Sequence, residues 1–259
     1  MLIKYTGNNK FIFVANTKCA SGSIEASRLG KISQIKLTNI LVGKHMSIEE
    51  IYDRFDFIFE EYKFEDFFKF GIIRDPLHWV VSWFNFRARP ELSDPSHRSH
   101  KNYTGEMQFS DFWNLNKNRR LFYPQSTKFF SRSNQKIKVD YLVRFEKLAE
   151  DLSAVKKILG LDSLKIMHKN KSIVRRIGAD EVDDTIREEI IQKYRSDYDL
   201  ISKLDSYNSS GLERFRMRMP FVTSPQVGVM NMLKNLIIGT PLEAPTRSLI
   251  NLIKTREKS

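Results

Sequence analysis

The amino-acid sequence predicts an α/β domain with a mostly parallel central sheet flanked by helices. Two observations support this fold class. Short runs of Phe, Ile and Val recur along the chain, and each is followed by a segment with helix start or stop signals. Strands that alternate with helices in this way belong to parallel sheets. A further segment with helical spacing of apolar residues extends the chain beyond this domain.

The composition limits the classes of protein to consider. Of the 259 residues, 41% are hydrophobic and 12% aromatic, which supports a real core and excludes a disordered chain. The net charge of +12 favours an anionic partner, although a solvated basic surface gives the same count. The single cysteine, Cys19, cannot form an internal disulfide. Because no apolar run approaches the roughly 18 residues that span a bilayer, and no signal-peptide pattern is present, we expect a cytoplasmic protein.

The first predicted unit is a strand, a turn and a helix. Phe11 to Val14 is an apolar run that predicts a buried parallel strand. Small residues fill the turn from Asn16 to Ser23, and a helix begins in the segment Ile24 to Leu29. This layout directs backbone N–H groups toward an anion.

The second unit has stronger helix signals. Ser47 and Glu50 have capping-box spacing before an amphipathic run through Phe59. Phe67 to Ile73 predicts a second buried strand, and Asp75 with Pro76 is a good N-cap and first residue for a helix to about Arg87.

The rest of the domain continues the alternation after a polar stretch, residues 88–135, that has no clean period. The remaining predicted elements are a short helix at Phe109 to Leu115, a strand at Val139 to Phe145, a helix at Leu148 to Leu159 closed by Gly160, and one long helix over residues 180–204. We predict a domain over residues 1–207 and a helical extension over residues 208–259.

The turn from Asn16 to Ser23 is the first motif that indicates chemistry. Small side chains allow the backbone to close on a phosphate, and Lys18 adds a mobile positive charge. The lysine precedes the turn, unlike that of the NTPase loop G-x-x-x-x-G-K-[ST]. A cysteine-phosphatase loop would need arginine where Glu25 stands. Alone, the segment is equally consistent with an ordinary strand-to-helix turn.

The second motif is Arg74 followed by Ser82 eight residues later. Arg74 follows a predicted strand, at the sheet edge where open α/β sheets bind ligands. An arginine fork suits a terminal phosphate, and a hydroxyl on a helix can add a hydrogen bond. Alone, this motif is equally consistent with a helix cap and a surface serine.

Together and in this order, the two motifs resemble the PAPS-dependent sulfotransferases, especially their carbohydrate branch (PAPS is 3′-phosphoadenosine 5′-phosphosulfate). Residues 16–23 are similar to the family's 5′-phosphosulfate loop and residues 74–82 to its 3′-phosphate motif. The resemblance extends over roughly residues 10–202. Further matching segments are Lys44 to Glu50, Pro124-Gln125, Val139 to Leu148, His168 to Ser172 and Tyr194 to Tyr198.

The resemblance implies a single P-loop-NTPase-like domain that transfers a sulfuryl group from PAPS to a hydroxyl, without a metal. By position, Lys18 would stabilise the leaving oxygen and Arg74 with Ser82 would bind the 3′-phosphate. The 5′-phosphate would be held by Ala20, Ser21, Gly22 and Ser23. Two residues depart from the family pattern: Thr17 replaces a proline, and Gly22 replaces a threonine whose hydrogen bond to a charged group would be worth roughly 1.5–3 kcal/mol.

The resemblance also implies a general base in the segment that contains His45. Imidazole titrates near neutrality, so His45 is the first candidate and Glu49 the second. His78, His97 and His100 have less positional support, and no spacing of His and Cys predicts a metal site. Trp79, Trp83 and Phe86 form a helical stripe that could face the core or stack on a purine.

Several interpretations stay open from the sequence alone. The basic stretch 85–135 would suit an anionic sugar chain as acceptor, and we expect a bacterial enzyme. A kinase-like phosphotransferase, a non-catalytic nucleotide-binding module, and a nucleic-acid or membrane-surface protein are the alternatives; no nucleic-acid-binding motif is present. The apolar and basic stripes within 208–259 would contact an anionic, lipid-bearing membrane, the main domain or a second subunit.

Overall fold

A computed structural model describes residues 1–131, 137–161, 164 and 174–218. Within these residues, one sheet contains five strands in the spatial order β3-β1-β2-β4-β5. The strands are β1 (Leu2–Lys4), β2 (Phe11–Val14), β3 (Ile35–Lys36), β4 (Phe68–Ile73) and β5 (Tyr141–Arg144).

The sheet is mostly parallel, as the sequence predicts. β2 pairs in parallel with β4, and β4 with β5, while β1 is antiparallel to both β2 and β3. Four of these five strands therefore point in one direction. The three predicted strands are confirmed within two residues at each end, whereas β1 and β3 are too short to give a signal. Because β2, β4 and β5 are parallel, their carboxyl ends meet at one edge of the sheet.

The described residues contain ten α-helices. They are α1 (Ser21–Ala26), α2 (Arg28–Ile32), α3 (Ile48–Arg54), α4 (Asp56–Glu61), α5 (Pro76–Arg87), α6 (Phe109–Asn116), α7 (Leu148–Leu159), α8 (Asp184–Lys193), α9 (Arg195–Ser202) and α10 (Leu204–Arg218).

Local helix signals are confirmed where they are strongest. Ser47 and Glu50 form both hydrogen bonds of a capping box before α3. The Asp75 side chain accepts from the N–H of His78, and Pro76 is the first residue of α5. Gly160 ends α7 with a φ of 59°, in the left-handed region that glycine adopts without strain.

The predicted long helix over residues 180–204 is wrong. The structure has three helices instead, α8, α9 and α10, with breaks at Tyr194 and Lys203. Tyr194 is fully buried, and its hydroxyl donates to the carbonyl of Phe122 at 2.8 Å. The break after Tyr194 lets Asp197 of α9 bind the backbone near residue 125, a contact that a straight amphipathic helix would not provide.

Phenylalanine rings fill the core around the two central strands. Every residue of β2 and β4 is buried, so both faces of these strands are covered. The rings of Phe13 and Phe70, which are partners across the two strands, lie 5.1 Å apart. Gly71 leaves room for Phe129, because a Cβ at this position would come within 2.3 Å of that ring.

The chain divides into two compact units, Met1–Arg216 and Met217–Ser259. The boundary predicted after residue 207 falls inside α10, which is packed on the domain in its first part. Residues 219–259, which contain the predicted stripes of the helical extension, lie outside the described residues. Among the residues that the structure describes, no helix has both the length and the apolar character needed to cross a bilayer.

Candidate functional site

The predicted anion loop lies between β2 and α1. Lys18 and Ala20 have φ angles of 57° and 52°, in the left-handed region that residues with side chains rarely adopt. Ala20 also caps α1 without a side-chain acceptor. In the described part of the chain, the N–H groups of residues 18–22 donate to no acceptor, whereas that of Ser23 donates to the Ala20 carbonyl. Successive free N–H groups in such a turn form a concave site for an anion.

Neighbouring side chains hold this loop in shape. Asn16 is fully buried at the end of β2, and its Oδ1 accepts from the N–H of Thr17 at 2.8 Å. The Thr17 carbonyl accepts from Trp79 Nε1 of α5 at 2.8 Å. A proline at position 17 would have no N–H, so the departure from the family pattern adds the contact with Asn16. The Thr17 hydroxyl is buried without a partner among the described residues.

The side chain of Gln125 connects the ends of two parallel strands. Its Oε1 accepts from Asn16 Nδ2 at 2.8 Å, beyond β2, and from the N–H of Arg74 at 3.2 Å, directly after β4. Its Nε2 donates to the Arg74 carbonyl at 2.7 Å. Gln125 is itself fixed by the buried carboxylate of Asp197, which accepts from the N–H groups of Gln125 and Ser126. The loop and Arg74 are therefore held in one rigid frame.

Arg74 turns back toward the anion loop. Its Nη1 donates to the Lys18 carbonyl at 3.2 Å, and its guanidinium lies 4.2 Å from the centroid of the Phe145 ring. Its Nε is buried and, in the described residues, has no partner. Burial lowers the pKa of Arg74, although arginine remains protonated at neutral pH. A guanidinium held in this way suits an oxyanion that accepts two hydrogen bonds.

Lys18 packs on α5 without a counter-ion. Its Nζ lies 3.7 Å from the centroid of the Phe86 ring and makes no hydrogen bond or ion pair within the described ranges. Burial, followed by the charges of Arg74 and Arg89, lowers the pKa of Lys18 to about 7. An anion bound beside the amine would raise this pKa again, because it favours the charged form.

Ser82 lies on α5 between two residues that contact the loop. Trp79 and Phe86, which precede and follow it at helical spacing, both contact the loop. Ser82 is half-buried in the middle of α5, and Arg74 lies two residues before this helix begins. The aromatic stripe is divided: Trp79 and Trp83 are buried, whereas Phe86 is partly exposed beside Lys18.

His45 lies at the same edge of the sheet. Its Nδ1 is 2.8 Å from the carbonyl of Ala15, directly after β2. A carbonyl only accepts, so Nδ1 carries the hydrogen and Nε2 of the neutral ring has a free lone pair. Burial lowers the pKa of His45 to about 4, with smaller contributions from Lys128 and Lys44 in the same direction. The ring is therefore neutral at physiological pH, and its pKa is well below the ordinary value of about 6.5 that the sequence suggests.

The other predicted candidates have local partners. The Glu49 carboxylate accepts from the Ser131 hydroxyl, and His78 lies 3.2 Å from the Asp75 carboxylate that caps α5. His97 Nδ1 accepts from the N–H of Ser99, and His100 Nδ1 lies 2.9 Å from the carbonyl of Leu92. In the described ranges, no group of three His, Cys, Asp or Glu side chains could hold a metal ion.

Cys19 does not provide a nucleophile in this loop. Its side chain is fully buried, and burial raises the pKa of the thiol well above its ordinary range. Sγ lies 3.4 Å from Asn16 Nδ2 and 3.6 Å from Gln125 Oε1, so it packs within the frame behind the loop.

A protein-family model matches the part of the chain that contains this site. The model of the sulfotransferase family matches residues 6–203, about three quarters of the chain. The chain belongs to the sulfotransferase family. Comparisons of this sulfotransferase with curated proteins and with solved structures found no match. The matched range contains the anion loop, His45, Arg74 and the Gln125 frame.

The sequence motifs identify the anion loop and Arg74, but they do not indicate the contacts of Gln125 and Asp197 that connect these two parts of the site. Gln125 and Asp197 were part of the family resemblance without a role, because nothing in the local pattern shows that a distant helix binds residue 125. Arg89 gave no signal either. The segment His168 to Ser172, a further match to the sulfotransferase family, lies outside the described residues.

Proposed function

We propose that this protein transfers the sulfuryl group of PAPS to a hydroxyl, with a carbohydrate as acceptor. The single observation that carries the donor assignment is the set of unpaired donors around the anion loop. These are the free N–H groups of residues 18–22, Lys18 Nζ and the buried Nε of Arg74. All of them are donors suited to phosphate and sulfate oxygens.

The residues present fit PAPS at both ends. In this proposal the N–H groups of Ala20 to Gly22 and the hydroxyls of Ser21 and Ser23 surround the 5′-phosphate, with Gly22 supplying only an N–H. Arg74 and Ser82 bind the 3′-phosphate from the start and the middle of α5. Because separate groups would bind the two phosphates, the site would distinguish this nucleotide from adenosine 5′-monophosphate, which lacks the 3′-phosphate.

PAPS supplies an activated sulfuryl group whose bond to the 5′-phosphate is weak enough to be broken by a hydroxyl. Lys18 stabilises negative charge on the oxygen that leaves, and its amine gains its proton as the anion binds. His45 Nε2 accepts the hydroxyl proton, since the hydrogen bond to Ala15 keeps Nδ1 protonated. Lys128 Nζ donates to the His45 carbonyl at 2.6 Å and orients this segment.

The acceptor is inferred from the charge of the chain. We propose an anionic or lipid-linked glycan, because the chain has a net charge of +12 and the stretch after α5 is rich in Arg, Lys and His. A non-catalytic nucleotide-binding protein of the same fold remains the alternative, and the free lone pair on His45 favours the enzyme.

The test is calorimetry with adenosine 3′,5′-bisphosphate and adenosine 5′-monophosphate. We expect the bisphosphate to bind about tenfold or more tightly, because Arg74 contributes hydrogen bonds to a charged group. Arg74→Ala should remove this preference, while Arg216→Ala, an exposed arginine of α10, should retain it. Equal binding of both nucleotides to the unaltered protein would refute PAPS as the donor.

A further inference from the structure

Two cations without counter-ions meet on one aromatic ring beside the anion loop. Lys18 Nζ and Arg89 Cζ each lie 3.7 Å from the centroid of Phe86, so they are separated by no more than twice this distance. Arg89 Nε donates to the Phe86 carbonyl at 2.9 Å, which fixes one edge of the guanidinium. Neither cation has a carboxylate within ion-pair distance in the described part of the chain.

This arrangement differs from that of the other arginine at the end of α5. Arg87 is buried among the rings of Trp83, Phe112 and Phe122, and its Nη1 donates to Asn116 Oδ1 at 2.9 Å. Its role is to pack the interior. Arg89 is partly exposed, and its two terminal nitrogens make no hydrogen bond to any described residue.

We propose that Lys18 and Arg89 together bind the oxygens of the transferring sulfuryl group, so that Arg89 is a second cation at the reacting centre. This inference rests on the proposed function. The loop N–H groups and Arg74 account for the phosphates, and Arg89 is the cation left near Lys18 without an assigned anion. Charge-assisted hydrogen bonds of about 2.8 Å to two oxygens of one group span the separation that Phe86 imposes.

Arg89 would make no covalent bond in the reaction. The bond between sulfur and the 5′-phosphate oxygen breaks as the bond between sulfur and the acceptor oxygen forms. The acceptor proton goes to His45 Nε2, and adenosine 3′,5′-bisphosphate leaves. By analogy with phosphoryl transfer, charge moves among the sulfuryl and bridging oxygens, and fixed cations stabilise it without reorganising. Phe86 contacts both the Lys18 amine and the Arg89 guanidinium, so both groups lie beside the loop before the anion arrives.

The test compares two nucleotides that differ only in the sulfuryl group. The affinities of PAPS and of adenosine 3′,5′-bisphosphate are measured by calorimetry, without acceptor, for the unaltered protein, Arg89→Gln and Arg89→Lys. Arg216→Gln, which removes an exposed arginine of α10, is the matched control. We expect Arg89→Gln to weaken PAPS by about tenfold or more and the bisphosphate by less than about twofold. Arg89→Lys should recover part of the loss, because it restores the charge without the fork.

Retained bisphosphate affinity also shows that the variant is folded. Equal losses for both nucleotides would place Arg89 on the phosphates and overturn the proposal. Unchanged affinity for PAPS in Arg89→Gln would overturn it as well, while leaving the proposed donor intact. If the unaltered protein binds neither nucleotide, the proposed function itself fails, and this inference fails with it.

Discussion

Individual residues of the site have pKa values that burial sets before any ligand binds. Lys18 and His45 both lie at the carboxyl end of β2, and burial lowers the pKa of each, to about 7 and about 4. For Lys18, the lowered pKa leaves part of the amine neutral until a bound anion favours its charged form. For His45, the lowered pKa leaves a neutral ring whose Nε2 lone pair can accept a proton. The two shifts lead to different tests, since one concerns ligand binding and the other concerns folding.

Lys18 is expected to take up a proton when nucleotide binds. At pH 8 its amine is mostly neutral in the free protein, and a bound phosphate raises its pKa toward the ordinary value. Calorimetry with adenosine 3′,5′-bisphosphate, repeated in two buffers of different ionisation enthalpy, should show uptake of up to about one proton. The uptake should diminish at pH 6 and disappear in Lys18→Met. Uptake that persists in this variant would assign the proton to another group.

His45 is expected to make the folded state sensitive to acid. Its pKa is about 4 when folded and about 6.5 when unfolded, so the unfolded chain binds the proton first as the pH falls. This contribution to stability is complete above pH 6.5 and is lost progressively toward pH 4. Urea unfolding at pH 7 and pH 5 should therefore show a larger loss for the natural protein than for His45→Gln. The same loss in both proteins would mean that His45 is not buried in this way. The acid limb of turnover should likewise lie near pH 4.

At the scale of elements, the site depends on helix α9 as much as on the strands. Asp197 reaches the N–H groups of Gln125 and Ser126, and Gln125 in turn fixes the residues that follow β2 and β4. A helix far along the chain is thus connected through Gln125 to both the anion loop and Arg74.

Asp197→Asn is expected to weaken both folding and nucleotide binding. The amide nitrogen would face a backbone N–H, so one buried donor loses its acceptor, at a cost of about 1–3 kcal/mol in the free energy of unfolding. Affinity for adenosine 3′,5′-bisphosphate should fall because Arg74 and the loop are no longer fixed. Asp199→Asn, an exposed carboxylate on the same helix, should change stability by less than about 0.5 kcal/mol. Unchanged nucleotide affinity in Asp197→Asn would show that the frame does not control the site.

Elements with short-range signals were predictable from the sequence. The capping box at Ser47, the Asp75-Pro76 start of α5 and Gly160 each depend on residues within one turn, and each is confirmed. The break at Tyr194 was not predictable, because the contacts on either side of it, from the Tyr194 hydroxyl to Phe122 and from Asp197 to Gln125, join residues distant in sequence. In the same way, the loop and Arg74 follow from strand ends, whereas Gln125 and Arg89 act through contacts that only the folded chain creates.

At the scale of the whole molecule, the first part of α10 completes the domain. The Asn208 side chain bonds both the N–H and the carbonyl of Leu142 at 2.9 Å, on the outer edge of β5. The ring of Phe215 is tilted against that of Phe68, with 5.1 Å between their centroids. Gly211 lies so close to the Asp140 carbonyl that a Cβ would be 1.9 Å away. A boundary at residue 207 would therefore cut through packed structure.

Two truncations separate the domain from the region beyond it. A chain ending at Arg218 should keep the unfolding midpoint of the full protein and its affinity for adenosine 3′,5′-bisphosphate, because α10 remains complete. A chain ending at Tyr207 loses the bonds to Leu142 and the burial of Phe215. The two lost hydrogen bonds cost about 0.5–1.5 kcal/mol each and a lost buried Phe about 3–5 kcal/mol. This total approaches the roughly 5–15 kcal/mol that stabilises a whole domain, so the shorter chain should not fold cooperatively. Thermal unfolding followed by circular dichroism distinguishes the two truncated chains.

Cosedimentation of the full protein and the chain ending at Arg218 with anionic vesicles then tests the predicted role of residues 219–259. Binding by the full protein alone would support a membrane contact, and equal binding by both would contradict it.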